Sequence, residues 1–95
     1  MKAEIHNYKG WISITAVNEL KSLMTEYLQK AGFNVLNEVD YHYDPSGYTA
    51  VWLLAESHLA VHTFPEESKT YVEISSCNNK KNQVFIDLIQ KYIVK

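Results

Sequence analysis

The chain has 95 residues and a net charge of −2 at pH 7, and all its basic residues are lysines. It lacks the basic surface on which nucleic-acid binding depends, and no apolar run approaches the roughly 20 residues that span a bilayer. A hydrophobic fraction of 46% predicts one globular domain over residues 1–95. The single cysteine, Cys77, excludes an internal disulfide and a cysteine-rich zinc site, and the N-terminus has no signal-peptide core. We therefore expect a cytoplasmic protein.

The first half of the chain predicts a strand, a helix and a second strand. In residues 10–16, Ile12 and Ile14 alternate with Trp11, Ser13 and Thr15, which predicts a strand. The apolar residues of the next segment recur at helical spacing, with Asn18 as the N-cap and Gly32 as the C-terminal glycine. Residues 33–44 predict a second strand with every other side chain on one side of the sheet.

The second half predicts three more strands and a closing helix. Asp-Pro-Ser-Gly, residues 44–47, has turn composition. Strands are predicted at residues 48–55, 58–64 and 69–77, and an amphipathic helix at residues 82–93. The order β-α-β-β-β-β-α predicts an α+β fold: a two-layer sandwich of an antiparallel sheet with two helices on one face. The other face is free to pair with a second copy.

Residues 55–66, AESHLAVHTFPE, combine a strand pattern with reactive side chains. His58 and His62 lie four positions apart, about 13 Å on a strand, which is too far to share a metal ion. Ser57 and His62 lack the Gly-x-Ser-x-Gly turn of many hydrolases. A thiol nucleophile formed by Cys77 and a histidine stays open.

The same segment, followed by YVEISSCN, resembles the prokaryotic S-adenosylmethionine decarboxylase family. These are small proenzymes that cut themselves to make a pyruvoyl cofactor. Ser57, His62 and Cys77 keep the family's spacing. Upstream, YDPSGYTAVWLLAES is similar to the family's processing strand, with Thr49 where a serine usually stands. The resemblance extends over nearly the whole chain and includes its element order.

The resemblance implies that the peptide bond between Glu56 and Ser57 is cut. The products would be chains 1–56 and 57–95, and Ser57 would become the pyruvoyl group. The Ser57 hydroxyl would attack the Glu56 carbonyl, which requires a strained turn before Ser57. The family also implies that His62 is the proton acceptor in processing and that Thr49 supports the intermediate.

The resemblance further implies a decarboxylase of S-adenosylmethionine that supplies spermidine synthesis. The pyruvoyl group would form a Schiff base with the substrate amine, and Cys77 would return a proton to the α-carbon. Glu66 would bind the ribose and Tyr43 would stack on the adenine. No metal is implied. The family's partner is a second copy, as a homodimer in which both copies contribute to each site.

The chain departs from the family pattern in several places. Phe64, Ser76 and Asn78 replace the usual tryptophan, threonine and glycine, and ESKTYVE replaces the usual stretch after Glu66. Family members usually continue into a last strand, so an altered sheet edge or dimer is expected. Two alternatives stay open: a pyruvoyl-dependent decarboxylase of arginine or ornithine, and a non-catalytic paralogue.

Overall fold

A computed structural model describes residues 3–94. Its elements follow the predicted order β-α-β-β-β-β-α. Two short 3₁₀ turns, Pro65–Glu67 and Gln90–Tyr92, follow the fourth strand and the second helix. The strands and helices are β1 (His6–Ile12), α1 (Val17–Lys30), β2 (Val35–His42), β3 (Tyr48–Leu54), β4 (Ser57–Phe64), β5 (Lys69–Ser76) and α2 (Asn79–Ile89).

The five strands form one antiparallel sheet in the order β1-β5-β4-β3-β2. Leu20 of α1 and Phe85 of α2 are fully buried together with Trp52, Leu59 and Ile74 of the sheet. Both helices therefore cover the same face, which confirms the predicted α+β sandwich. Within residues 3–94, no helix is both long enough and apolar enough to cross a membrane.

Strand β2 has an irregular register that changes which of its side chains face the helices. The pairing with β3 shifts just after Val35, as at a β-bulge, and one extra residue reverses the alternation beyond it. Val35 packs against the core, whereas Val39 is 65% exposed and Tyr41 63%. The prediction that Val39 and Tyr41 lie on the same side of the sheet as Val35 is therefore wrong. Val39 and Tyr41 lie on the face away from the helices, which we call the open face.

The predicted boundaries of β1 and α1 are also corrected. Strand β1 begins at His6 because residues 6–9 already pair with β5, and it ends at Ile12. The Ser13 N–H bonds to the Tyr92 carbonyl instead, at 2.8 Å. Helix α1 begins at Val17, and the Ala16 carbonyl accepts its first hydrogen bond. Asn18 is thus inside the helix and is not its N-cap.

Helix α2 begins three residues earlier than predicted, at Asn79. The Asn78 side chain is its N-cap, because it accepts a hydrogen bond of 2.9 Å from the Lys81 N–H. An asparagine in this position satisfies one of the unpaired amides of the first turn. This cap fixes the start of the helix directly after the end of β5.

Strand β2 is joined to the rest of the domain by a polar cluster on the helix-facing side. The Tyr48 hydroxyl donates to the Asp40 carboxylate at 2.6 Å, and the Lys21 ammonium of α1 lies 3.3 Å from the same oxygen. The Tyr48 hydrogen bond, followed by Lys21, lowers the pKa of Asp40. Burial raises the pKa of Tyr48. The cluster anchors an edge strand that has few buried side chains.

Candidate active site

The turn between β3 and β4 contains the residue pair expected to be cut. Leu54 pairs with Ser57, so Ala55 and Glu56 form a two-residue hairpin loop. Glu56 has φ +59°, a left-handed conformation that is unfavourable for a residue with a β-carbon. Such a residue costs roughly 1–2 kcal/mol. The backbone strain lies directly before the Glu56–Ser57 bond.

The Ser57 hydroxyl is buried beneath this turn. Ser57 is 8% exposed and Ser76 is fully buried. The Ser57 Oγ donates a hydrogen bond of 3.0 Å to the Ser76 Oγ on the neighbouring strand. A short side chain in the first position of β4 is therefore held in one orientation, on the helix-facing side of the sheet.

The Cys77 thiol lies at the same end of the hairpin. Cys77 follows β5 directly and is exposed. Its Sγ is 3.6 Å from the Glu56 Oε2, a contact in which the thiol is the donor. The fold thus brings together three of the predicted residues, Glu56, Ser57 and Cys77, at what we call the cut end.

Thr49 and His62 meet at the opposite end of the same hairpin. They are paired across β3 and β4, and the Thr49 Oγ1 lies 2.8 Å from the His62 Nδ1. The His62 ring also stacks on Tyr71 of β5, with ring centres 6.1 Å apart. The imidazole is therefore oriented by a hydroxyl on one strand and an aromatic ring on the other.

A cavity of about 390 Å³ opens beside this pair. It falls within the range of small-molecule sites in proteins. Four of the predicted residues share it. Its lining consists of Tyr43, Ser46, Gly47, Thr49, His62, Thr63, Phe64 and Glu66. We call this the pocket end.

The cut end and the pocket end are separated within one chain. Ser57 and His62 are five positions apart on β4, about 17 Å at strand spacing. Because five is an odd number, their side chains also point to opposite faces of the sheet. His62 of one chain is therefore out of reach of Ser57 in the same chain. Within the described residues, no group of three His, Cys, Asp or Glu side chains is placed to share a metal ion.

The sequence marked two residues of the site, Ser76 and Phe64, only as departures from the family pattern and assigned them no role. Ser76 is an ordinary serine near a strand end, and only the register between β4 and β5 puts it opposite Ser57. Phe64 is a strand residue that lines the cavity and packs edge-on against Trp11. The strand register identifies Ser76, and the cavity lining identifies Phe64.

Comparison with known proteins identifies the family of the chain. The family model for S-adenosylmethionine decarboxylase matches residues 8–94. The chain belongs to the S-adenosylmethionine decarboxylase family. The resemblance first carried by residues 55–66 and Cys77 is thereby confirmed over nearly the whole sequence.

Individual relatives carry the same name. The S-adenosylmethionine decarboxylase proenzyme of Prochlorococcus marinus is 36% identical over 61 residues, 64% of this chain and 49% of the relative. The proenzyme of Acetivibrio thermocellus is 38% identical over 66 residues, 68% of this chain and 52% of the relative. The chain thus spans about half the length of the curated relatives it matches.

A solved structure shares the fold. The adenosylmethionine decarboxylase of Aquifex aeolicus superposes with a TM-score of 0.74, over 99% of this chain and 88% of that one. At 22% sequence identity, this likeness bears on the fold. It agrees with the five-stranded antiparallel sheet and the two helices on one face.

Proposed function

We propose that this chain is a self-processing, pyruvoyl-dependent decarboxylase of S-adenosylmethionine that supplies polyamine synthesis. The observation that carries the proposal is the left-handed Glu56 directly before a buried serine hydroxyl. The curated relatives are named proenzymes, which is consistent with a chain that must be cut before it acts.

The first reaction takes place on the backbone. The Ser57 Oγ adds to the Glu56 carbonyl carbon, the C–N bond breaks, and the hydroxyl proton ends on the Ser57 nitrogen. Loss of the Ser57 Cα proton then expels the Glu56 carboxylate and leaves a dehydroalanine. Water replaces its nitrogen, ammonia departs, and the chain starting at residue 57 carries a pyruvoyl group. Strain at Glu56 is relieved when the turn is cut, which favours the forward direction.

The residues at the cut end fit the pyruvoyl group that would form there. The group supplies an electron sink for the electrons left by departing carbon dioxide. Cys77 lies beside the scissile residue pair and is exposed, so its thiol can reach a substrate carbon and return a proton. This role needs a free thiol, which agrees with a reducing, cytoplasmic setting.

The pocket end supplies the chemistry needed to hold the substrate. Tyr43 and Phe64 line the cavity and offer aromatic faces to an adenine ring or a sulfonium cation. Glu66 lines the same cavity and can accept hydrogen bonds from ribose hydroxyls. These features favour an adenosyl substrate over arginine or ornithine, which have neither an aromatic base nor a ribose.

A complete site would need two copies of the chain. The bond to be cut lies at the cut end, whereas the proton acceptor His62 lies at the pocket end. About 17 Å of strand separates Ser57 from His62. Val51 and Leu53 are exposed on the open face between the two ends, 38% and 51%, beside Val39 and Tyr41. A two-fold pairing of open faces buries this apolar surface and sets the cut end of one copy against the pocket end of the other. His62 of one copy would then face the Glu56–Ser57 peptide of its partner from the open-face side, opposite the Ser57 hydroxyl.

Intact-mass measurement of the purified protein tests the proposal. We expect two species, residues 1–56 and residues 57–95, the second blocked to N-terminal sequencing by its pyruvoyl group. The processed protein should release carbon dioxide from S-adenosylmethionine and none from arginine or ornithine. A single full-length mass after long incubation would contradict the proposal and favour a non-catalytic paralogue.

A further inference from the structure

The proposed chemistry assigns no task to Ser76, although it is the side chain bonded to Ser57. Its Oγ is fully buried and accepts the 3.0 Å hydrogen bond from the Ser57 hydroxyl. Two further contacts fix it: the Asn78 N–H donates to it at 2.9 Å, and it donates to the Asn78 carbonyl at 3.4 Å. Asn78 is in turn the N-cap of α2.

We propose that Ser76 is a positioning residue for self-cleavage: it holds the Ser57 hydroxyl for attack on the Glu56 carbonyl. The inference rests on the proposed function. A serine side chain has three staggered rotamers, and the bond to Ser76 selects one of them. Because the bond uses the Ser57 proton, it leaves the lone pairs of the Ser57 oxygen free for the carbonyl carbon.

Ser76 acts on the first covalent step and needs no co-reactant. The Ser57 Oγ forms a bond to the Glu56 carbon, the peptide C–N bond breaks, and the hydroxyl proton passes to the freed nitrogen. The result is an ester isomer of the starting chain. Ser76 is unchanged at the end, because its own proton stays directed at the Asn78 carbonyl.

The arrangement connects α2 to the cut. The cap at Asn78 fixes the loop after β5, that loop fixes Ser76, and Ser76 orients Ser57. Self-cleavage would therefore wait until α2 has docked on the sheet. Cutting before the fold is complete would separate β3 from β4 while the core is still forming.

Three variants separate the hydroxyl of Ser76 from its bulk. Ser76→Ala removes the hydrogen-bond acceptor, and Ser76→Thr keeps it. Thr70→Val is the matched control: Thr70 is also fully buried on β5, and it donates a 2.6 Å hydrogen bond to the Ile14 carbonyl at the far end of the strand. It therefore loses a buried hydroxyl without contacting Ser57.

The readout is the rate of conversion to two fragments, followed by mass spectrometry after timed cell-free synthesis of the full chain. We expect Ser76→Ala to slow conversion by roughly tenfold to a hundredfold, the cost of a misplaced nucleophile. We expect Ser76→Thr to stay within about threefold of the parent chain, since the hydrogen bond is retained, and Thr70→Val to match the parent.

Hydroxylamine identifies the step that is affected, because it cleaves esters and leaves amides intact. If Ser76 serves the attack, Ser76→Ala accumulates no ester and hydroxylamine does not speed its cleavage. Equal conversion rates for Ser76→Ala and Thr70→Val, an accumulating ester in Ser76→Ala, or a Ser76→Thr chain as slow as Ser76→Ala would each overturn the inference. Failure of the parent chain to cut would instead overturn the proposed function.

Discussion

The two ends of the β3–β4 hairpin differ in almost every physical respect. The cut end has a strained turn, a buried serine hydroxyl and an exposed thiol. The pocket end has relaxed strand geometry at Thr49 and His62 and an open cavity with aromatic sides. In the proposed function, the cut end reacts with its own backbone and the pocket end holds the substrate.

The difference teaches that making the cofactor and holding the substrate have separate structural requirements. Attack on the peptide bond needs a fixed nucleophile and a strained carbonyl, which a tight hairpin supplies. Recognition of an adenosyl group needs a concave surface with aromatic and carboxylate side chains. In the proposed function, the two ends of β4 meet these two requirements separately, and pairing with a second copy brings them together.

Ser57→Ala gives the largest expected effect, because it removes the nucleophile of the first step. We expect the chain to stay at its full-length mass indefinitely and to show no decarboxylation. Ser22→Ala, at an exposed serine of α1, should cut like the parent. Fragments from Ser57→Ala that match residues 1–56 and 57–95 would place the reaction on another residue.

Cys77→Ser should separate the two functions of the cut end. We expect normal self-cleavage, since the Ser57–Ser76 contact is intact, and a loss of roughly a hundredfold or more in kcat, since a hydroxyl is a poor proton donor at neutral pH. Intact mass and carbon dioxide release measure the two effects on the same sample. Full turnover by this variant would exclude the thiol as the proton donor.

Glu66→Gln should alter the pocket end alone. We expect KM for S-adenosylmethionine to rise roughly tenfold, or about 1.4 kcal/mol, with self-cleavage unchanged. Glu67→Gln is the matched control, because Glu67 lies in the same turn, pairs with Lys69 and does not line the cavity. An equal rise in KM for both variants would point to a general charge effect.

Asp40→Asn should produce the smallest effect, on stability. The pKa of Asp40 is lowered in the folded chain by the Tyr48 hydrogen bond and by Lys21, so its stabilisation is present above the unfolded pKa and disappears as the pH falls through the lowered folded pKa. We expect a melting temperature a few degrees below the parent at pH 7 and no difference in strong acid. Glu26→Gln, at an exposed pair with Lys30, should melt like the parent. A melting difference for Asp40→Asn that persists in strong acid would contradict the ion-pair account.

Local patterns were sufficient to predict most of the fold. Alternation and helical spacing predicted the five strands and the two α-helices, because most of these elements have one apolar side against a common core. The errors arose at a β-bulge and at helix starts, including the side-chain cap at Asn78 that begins α2. The bulge after Val35 reverses the strand without changing its sequence pattern, and Ala16 caps α1 through its backbone carbonyl, which no side-chain signal marks.

The sequence suggested members of the candidate site but did not indicate how they are arranged. Ser57, His62 and Cys77 follow from a spacing that the family shares. The register of β4 between β3 and β5 decides the arrangement. It places Cys77 beside Glu56 and leaves His62 at the other end of the hairpin. The role proposed for Ser76 depends on that register, because the register places Ser76 opposite Ser57.

Complementation between two defective chains tests most directly whether the two ends come from different copies. His62→Ala and Cys77→Ser each damage every site when expressed alone. In co-expressed chains that pair at random, half of the pairs are mixed, and each mixed pair contains one complete site. We expect about a quarter of the parent activity from the mixture, against almost none from either variant alone. Mixed pairs that are recovered through two different tags and show no activity above the single variants would contradict the account.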